Sequence, residues 1–406
     1  MPTGIYISVP FCKQKCSFCN FASGVFSRGL MQRYVDRVCN DIAVAQSTVA
    51  SLGADFDSRI DTVYLGGGTP TTLAPEQLSQ VFSAVRHAFD VDTDAEITVE
   101  CAPGTLSPET LDALRRNGVN RVSLGVQSFV APEARAVGRL HDREIVLADI
   151  ERLRAAGIHN INIDLIAGLP HQSAASWSES LEITLATNVP HVSVYTLEVD
   201  EDSRLGREVM AGGVRYHAHD VPNDDSAAEF YTLACERLNS AGIPQYEISN
   251  FARPGGESKH NLKYWTRQPY LGFGLDAHSM VATANVVADA CAVRFSTADD
   301  LNRFLQLPSA AIEVTRVTQV QALEEEFFLG LRLNRGIDLS EISHKLNCQL
   351  SHEFLESIAE LTGDGLLHCE GKRACLTARG RLLSNEVFAR FIGAENEAAA
   401  PQLASC

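Results

Sequence analysis

From residue 4 to about residue 200 the chain alternates short apolar runs with longer stretches of helical periodicity. The apolar runs cover 5–9, 62–65, 96–100, 121–124, 160–166 and 191–197. Amphipathic segments at 31–49, 75–89, 108–117, 143–156 and 174–188 lie between them. Short apolar strands joined by helical crossovers predict an α/β fold with a parallel sheet covered on both faces. Residues 200–310 are less regular: 220–226 reads as a linker, 227–240 as a helix and 245–249 as a strand. From about 315 the character changes. Segments 324–331, 339–346 and 354–362 have helical spacing, and 366–369 and 374–377 alternate around Glu370-Gly-Lys-Arg, a hairpin signal. Helices followed by a small hairpin predict a smaller, mainly helical, winged-helix-like C-terminal domain.

Composition narrows the class. With 406 residues and 45% hydrophobic content, the chain can build one large domain and one small one. It has no apolar run long enough for a membrane helix, and its first residues enter a strand without the basic and apolar regions of a secretory signal. Eleven cysteines, an odd number, point to a reducing cytoplasm rather than a disulfide framework. A net charge of −17 argues against non-specific nucleic-acid binding. The acidic run Glu324-Glu-Glu326 argues against the winged-helix-like segment as a nucleic-acid reader. Residues 393–406, rich in Ala and Glu without periodicity, are expected to be a disordered tail.

The candidate chemistry begins at Cys12, Cys16 and Cys19, spaced C-x3-C-x2-C directly after the first apolar run. Three thiolates can hold three irons of a [4Fe–4S] cluster, which normally takes four cysteines, leaving one iron open to a small molecule. Two other readings are a structural zinc site and three unrelated buried cysteines. Zinc prefers four closed ligands, and no paired CxxC or HxxxH stands nearby. Gly66-Gly67-Gly68-Thr69-Pro70 follows the second run, where glycines let backbone approach a ligand closely. Glu100, Gln127 and Arg139 fall at or after strand ends, and Asp164 lies inside an apolar run where a lone carboxylate is costly.

The cysteine run resembles that of the radical S-adenosylmethionine (SAM) superfamily. With the triple glycine and the strand-end residues, the chain is similar from 6 to 391 to the oxygen-independent coproporphyrinogen dehydrogenases and their relatives, the HemW heme chaperones among them. The resemblance implies a partial six-stranded β/α barrel over 1–225, a barrel extension over 226–312 and the C-terminal domain over 313–392. It also implies a [4Fe–4S] cluster whose open iron is exchangeable with SAM. Tyr6, Gly67 and Glu100 would meet the cluster-bound SAM. Phe18, Gly68, Thr69, Gln127, Arg139 and Asp164 would meet a second.

Two features separate dehydrogenase from chaperone. The dehydrogenases carry a fourth cysteine two positions after the third, where this chain has Phe21, and a longer segment before the cysteines than the eleven residues found here. Conversely, His260-Asn261-Leu-Lys-Tyr264-Trp265 matches the H-N-x-x-Y-W motif of the heme-chaperone group. Neutral imidazole ligates heme iron. Tyr264 and Trp265 offer flat apolar area, and Arg253 and Lys259 offer charge for propionates. His278 and Cys291 are lesser candidates for the iron, and Asp276 departs from the small residue common in relatives. The expected function is that of a cytoplasmic heme chaperone that delivers heme to hemoproteins, membrane-bound respiratory enzymes included. A homodimer is left open. The alternatives are a radical SAM enzyme acting on a tetrapyrrole, and a cluster-bearing interaction protein that uses SAM only as a structural ligand.

Overall fold

The computed structural model describes residues 1–283, 290–307 and 313–393. These fall into two compact units: the described residues of Met1–Lys263, Gln268–Asn285 and Ala292–Arg316, and those of Tyr264–Arg267, Val286–Cys291 and Val317–Cys406. Among the described residues no helix is long and apolar enough to cross a membrane.

In the larger unit the strands Thr3–Val9, Arg59–Gly67, Asp90–Cys101, Arg121–Gln127, Asn160–Ala167 and His191–Thr196 lie side by side in chain order, all parallel. They are called here the first to sixth barrel strands. Alternate residues on a strand face opposite sides. Ile5, Ile7, Val63, Leu65, Val99, Val122, Ile163 and Val194 go to a continuous apolar core. The other parity brings Tyr64 to Glu100, and Ser123 and Asn162 to Asp164, on a shared polar face. Helices Arg28–Ala43, Pro75–Ala88, Pro108–Arg116, Arg143–Ala155 and Ala174–Ala186 supply the crossovers. Several start at side-chain caps: Ser107 accepts from the Thr110 N–H, Asp142 from Ile145 and Ser173 from Ser176. The helix expected over 31–49 is interrupted at Val44, with Ala45–Ser51 as a separate turn.

The sheet extends past the six strands. Tyr270–Phe273 pairs parallel to the first strand, followed by antiparallel His278–Thr283 and Ala290–Ser296. On the far side Asn250–Ala252 runs antiparallel to the sixth strand. Periodicity alone hides this extension because glycines punctuate it. A Cβ on Gly272 would sit 2.1 Å from the His278 carbonyl oxygen, and Gly274 has φ +96°. The strand expected over 245–249 forms instead at Asn250–Ala252, with Gln245 making only an isolated bridge to Phe251. The expected linker 220–226 is shortened because Asn223 caps a helix that runs Asp224–Ser240.

The smaller unit has helices Gln319–Gly330, Leu339–Leu346 and His352–Gly363. It has a three-stranded sheet in which Arg373–Leu376 lies between Ile337–Asp338 and Leu367–Glu370. Phe327, Phe354 and Phe391 meet at its centre with ring centroids 4.7–5.7 Å apart. This is the winged-helix-like domain expected from the hairpin signal. Of the expected tail, 394–406 lies outside the described residues.

Candidate functional site

The three cysteines sit on a loop beyond the carboxyl end of the first strand, and the loop is fastened from several directions. The Cys12 N–H donates to the Gly24 carbonyl at 2.8 Å and the Ser17 N–H to Val137 at 3.1 Å. The Leu205 N–H reaches Ser17 at 2.8 Å, and the Arg204 guanidinium donates to the Lys15 carbonyl. Asn20 Nδ2 donates to Asp200 Oδ2 at 2.9 Å. The Thr69 hydroxyl points at Cys12 Sγ at 3.8 Å, and Ser23 Oγ lies 3.7 Å from Cys19 Sγ. Burial pushes the Cys12 and Cys16 thiols up, opposed at Cys16 by the positive charges of Arg139 and Arg204. Metal coordination removes those protons. A tetrahedral zinc with bonds of about 2.3 Å would gather its sulfurs to roughly 3.8 Å. Zinc prefers four closed ligands, whereas three thiolates on one loop suit a cluster with one open iron.

The glycine run after the second strand packs against this loop. Gly67 has φ +97°, and a Cβ there would lie 2.9 Å from Ser8 Oγ. A Cβ on Gly68 would lie 2.7 Å from the Val9 carbonyl oxygen, and one on Gly66 2.7 Å from Glu100 Oε1. Glycine is required at Gly68 by close approach to backbone and at Gly67 by its positive φ. Thr69 continues the run with its N–H on the Phe11 carbonyl at 2.8 Å.

Behind the glycines is a polar cradle. Glu100 accepts from the Tyr64 hydroxyl at 2.9 Å and from the Gly67 N–H at 3.1 Å. Asp164 accepts from Ser123 at 2.9 Å and Asn162 at 2.7 Å, which answers the cost of a carboxylate inside an apolar strand. Gln127, at φ 69°, ends the fourth strand. Its Oε1 and the Nε of Arg139 are buried with no hydrogen-bond partner. Buried polar atoms are nearly always bonded, so two orphans in one cradle are what a polar ligand would satisfy. Arg139 also lies close enough to bias Cys16, Glu100 and Asp164 electrostatically. Phe18 and Tyr195 pack on a small apolar cluster containing Val137, Ile166 and Leu205. The structure thus gathers the expected Cys12, Cys16, Cys19, Gly67, Gly68, Thr69, Glu100, Gln127, Arg139 and Asp164 around the carboxyl end of the barrel. Sequence reasoning missed Tyr64, Ser123, Asn162 and Ser193, the last accepting from Asn162 Nδ2 at 2.9 Å; their signal was polar alternation within otherwise apolar strands.

Glu100 carries a testable charge. Desolvation raises its pKa from 4.5 to about 7, with the neighbouring Asp164 charge adding to the rise and the Tyr64 hydrogen bond opposing it. The folded state therefore holds the proton more tightly than the unfolded chain between these values. The associated stability is fully present below 4.5 and lost as pH rises through 7. At about 1.4 kcal/mol per unit the loss approaches roughly 3 kcal/mol at pH 8. Glu100→Gln is expected to raise the urea midpoint of ligand-free protein at pH 8 and to flatten its fall from pH 4.5 to 7. Parallel pH profiles for the two proteins would contradict this.

The H-N-x-x-Y-W segment forms the short helix Lys259–Trp265. Glu96 caps its start, accepting from the N–H groups of Lys259 at 3.2 Å and His260 at 3.0 Å. Lys263 is buried, with Nζ on Asp61 at 2.7 Å and on the Pro2 carbonyl at 2.9 Å. His260 is 1% exposed. Its Nδ1 lies 2.9 Å from Thr62 Oγ1, and its ring stacks on Tyr64 at 5.2 Å and Tyr6 at 6.4 Å. Burial, aided by the Lys263 charge, lowers its pKa to about 3, so the imidazole is neutral. These contacts lie in the amino-terminal half and middle of the first two strands, whereas the cysteines follow the carboxyl end of the first, and Tyr64 links the two levels by its bond to Glu100. In the smaller unit Tyr264 and Trp265 are half-buried and meet edge to face at 6.4 Å. The Arg332 guanidinium lies 4.2 Å over the indole, whose buried N–H has no hydrogen-bond partner. His278 is exposed beside Asp276, and Cys291 lies near the Val317 carbonyl at 3.5 Å.

Comparison with known proteins agrees with this architecture. The radical SAM superfamily model matches residues 6–183, and the HemN C-terminal domain model matches 317–383. The heme chaperone HemW of Bacillus subtilis is 33% identical over 389 residues, 96% of this chain and 98% of that protein. Its counterpart in Lactococcus lactis is 31% identical over 397 residues, 96% of this chain and 97% of that one. The solved coproporphyrinogen III oxidase HemN of Escherichia coli superposes with a TM-score of 0.79 at 26% identity, covering 96% of this chain and 90% of that one.

Proposed function

This chain belongs to the HemW family of radical SAM proteins, a membership that implies a [4Fe–4S] cluster and SAM, and on that premise we propose that it is a heme chaperone. It binds heme and delivers it to hemoproteins, respiratory enzymes among them. The observation that carries the reading is the nearly full-length kinship with heme chaperones, joined to Phe21 where a dehydrogenase has its fourth cysteine.

In this reading Cys12, Cys16 and Cys19 hold the cluster. Tyr6, Gly67 and Glu100 hold the cluster-bound SAM, which when bound supplies radical chemistry. Phe18, Gly68, Thr69, Gln127, Arg139 and Asp164 form the cradle for a second SAM. The orphaned Gln127 Oε1 and Arg139 Nε support that cradle. Heme engages the segment carrying His260, Tyr264 and Trp265. Its neutral imidazole is competent for iron, on the condition that the ring leaves Thr62 and the tyrosine stack.

Because His260 packs against Thr62 and none of the cluster cysteines is on its segment, cluster-free protein should still take up heme, seen as a Soret band. His260→Ala combined with Trp265→Ala is expected to weaken heme binding at least about tenfold, or 1.4 kcal/mol. Its far-ultraviolet circular dichroism and its reconstituted iron and sulfide should match the parent. Unchanged heme affinity in the double variant would make the motif a structural plug. A second reading, a radical SAM enzyme that alters a tetrapyrrole, is favoured by the likeness to HemN.

A further inference from the structure

A cluster of imidazoles stands apart from the residues assigned so far. His171 follows the fifth strand, in the turn Leu169-Pro170-His171-Gln172, and His217, His219 and Asp220 lie on the 3-10 segment Arg215–Asp220. His171 Nε2 is 3.2 Å from His217 Nδ1, and His171 Nδ1 is 3.4 Å from Asp220 Oδ2. His217 Nδ1 is 3.7 Å from the same carboxylate oxygen. The ligand atoms of His171, His217 and Asp220 all lie within 4.8 Å of one another. Tetrahedral zinc with bonds of about 2.0–2.1 Å spaces its nitrogen and oxygen ligands by roughly 3.3 Å. His171 meets His217 through Nε2 and Asp220 through Nδ1; with one nitrogen taken from each ring the set lies within 4.8 Å and has at most roughly 1.5 Å to close to reach that spacing.

The backbone has been shaped to produce this convergence. His171, Tyr216 and His217 have φ of 67°, 55° and 59°, a region that non-glycine residues seldom occupy. Three such residues in one cluster suggest strain retained for a purpose. The turn and the segment are also tied directly, by the His171 N–H on the Asp220 carbonyl at 2.9 Å. Gln172, buried beside His171, accepts from the Gly168 N–H at 2.5 Å and holds the turn.

We propose that His171, His217 and Asp220 bind one divalent transition-metal cation of the zinc class. His219, whose Nε2 is 3.3 Å from Asp220 Oδ2, stays on the carboxylate as its outer partner, and the fourth position takes water. Two neutral imidazoles and a carboxylate suit zinc, and a protein of net charge −17 favours the cation. Ala218, on the same segment, packs with Leu205 in the apolar cluster that also takes Phe18 of the cysteine loop. The Arg204 guanidinium lies 5.3 Å over the Tyr216 ring and donates to Lys15 of that loop. A bound cation therefore braces the segment backing the cysteines, separately from heme or SAM.

The test uses full-length protein reconstituted anaerobically, so that the three cysteines are occupied, then titrated with zinc against a chromophoric chelator. One equivalent is expected beyond the cluster. His171→Ala and His217→Ala should each weaken it at least about 100-fold, beyond the usual cost of losing an outer partner. His219→Ala should weaken it less. His87→Ala, an exposed histidine bonded to Ser83 on another helix, should leave it unchanged. Cobalt in place of zinc should give ligand-field bands without thiolate charge transfer. The substituted histidines are largely exposed, and circular dichroism verifies that the variants fold. Failure to take up the equivalent at micromolar zinc, parental affinity in His171→Ala or His217→Ala, or a thiolate band with cobalt would each overturn the proposal.

Discussion

Cys16→Ala is expected to abolish the cluster: after anaerobic reconstitution the variant should hold iron and labile sulfide only at background. Cys12→Ala and Cys19→Ala should do the same, because a cluster on three thiolates has no ligand to spare. Cys39→Ala and Cys101→Ala should retain the full complement. Burial pushes the Cys101 thiol up to about 12, and its Sγ donates to the Ala102 carbonyl at 3.4 Å. The Cys39 thiol is pushed up to about 11 by burial, with the Asp36 charge adding to it. Neither belongs to the cysteine loop: Cys39 is on the helix Arg28–Ala43 and Cys101 ends the third strand. Loss of cluster from Cys101→Ala equal to that from Cys16→Ala would move the site.

The second large effect is expected at the glycine run. Gly67→Val places a branched side chain at φ +97° and drives its Cβ toward Ser8 Oγ. The strain of order 1–3 kcal/mol is relieved only by moving the backbone that faces the ligand. That same N–H is one of the two groups anchoring Glu100. SAM affinity measured by calorimetry on cluster-loaded protein should fall by about 10- to 100-fold, at 1.4 kcal/mol per tenfold. Cluster content should be unchanged, because it is Gly68 and Thr69 whose N–H groups fasten to Val9 and Phe11 at the root of the cysteine loop. Unchanged SAM affinity would show that the ligand does not approach Gly67.

Much of the site was legible because its signals are local. The cysteines and the triple glycine each stand directly after an apolar run, and parallel strands place such positions at one end of the sheet. The six strands were recognisable from their outward apolar residues. Their inward residues were read one at a time, and so Tyr64, Ser123 and Asn162 went unnoticed although their parity matches that of Glu100 and Asp164. The edge strands Asn250–Ala252 and Tyr270–Phe273 are specified by pairing with residues far away in sequence, which periodicity does not report. His260 shows the same limit. Its residue type suggests a ligand, but Thr62, Tyr64 and Glu96 determine that it lies inside the barrel wall. His171 and His217 are 46 residues apart, and no local pattern announces their meeting.

A radical SAM architecture that serves heme transfer should hand heme on without altering a tetrapyrrole. The direct measurement loads anaerobically reconstituted protein with heme and SAM and offers it an apo-cytochrome of the b type. In parallel, the same preparation receives coproporphyrinogen III. Stoichiometric appearance of holo-cytochrome, heme of unchanged mass and no conversion of coproporphyrinogen are expected. Multiple turnovers of coproporphyrinogen III to protoporphyrinogen IX, with no heme reaching the cytochrome, would contradict heme transfer as the function.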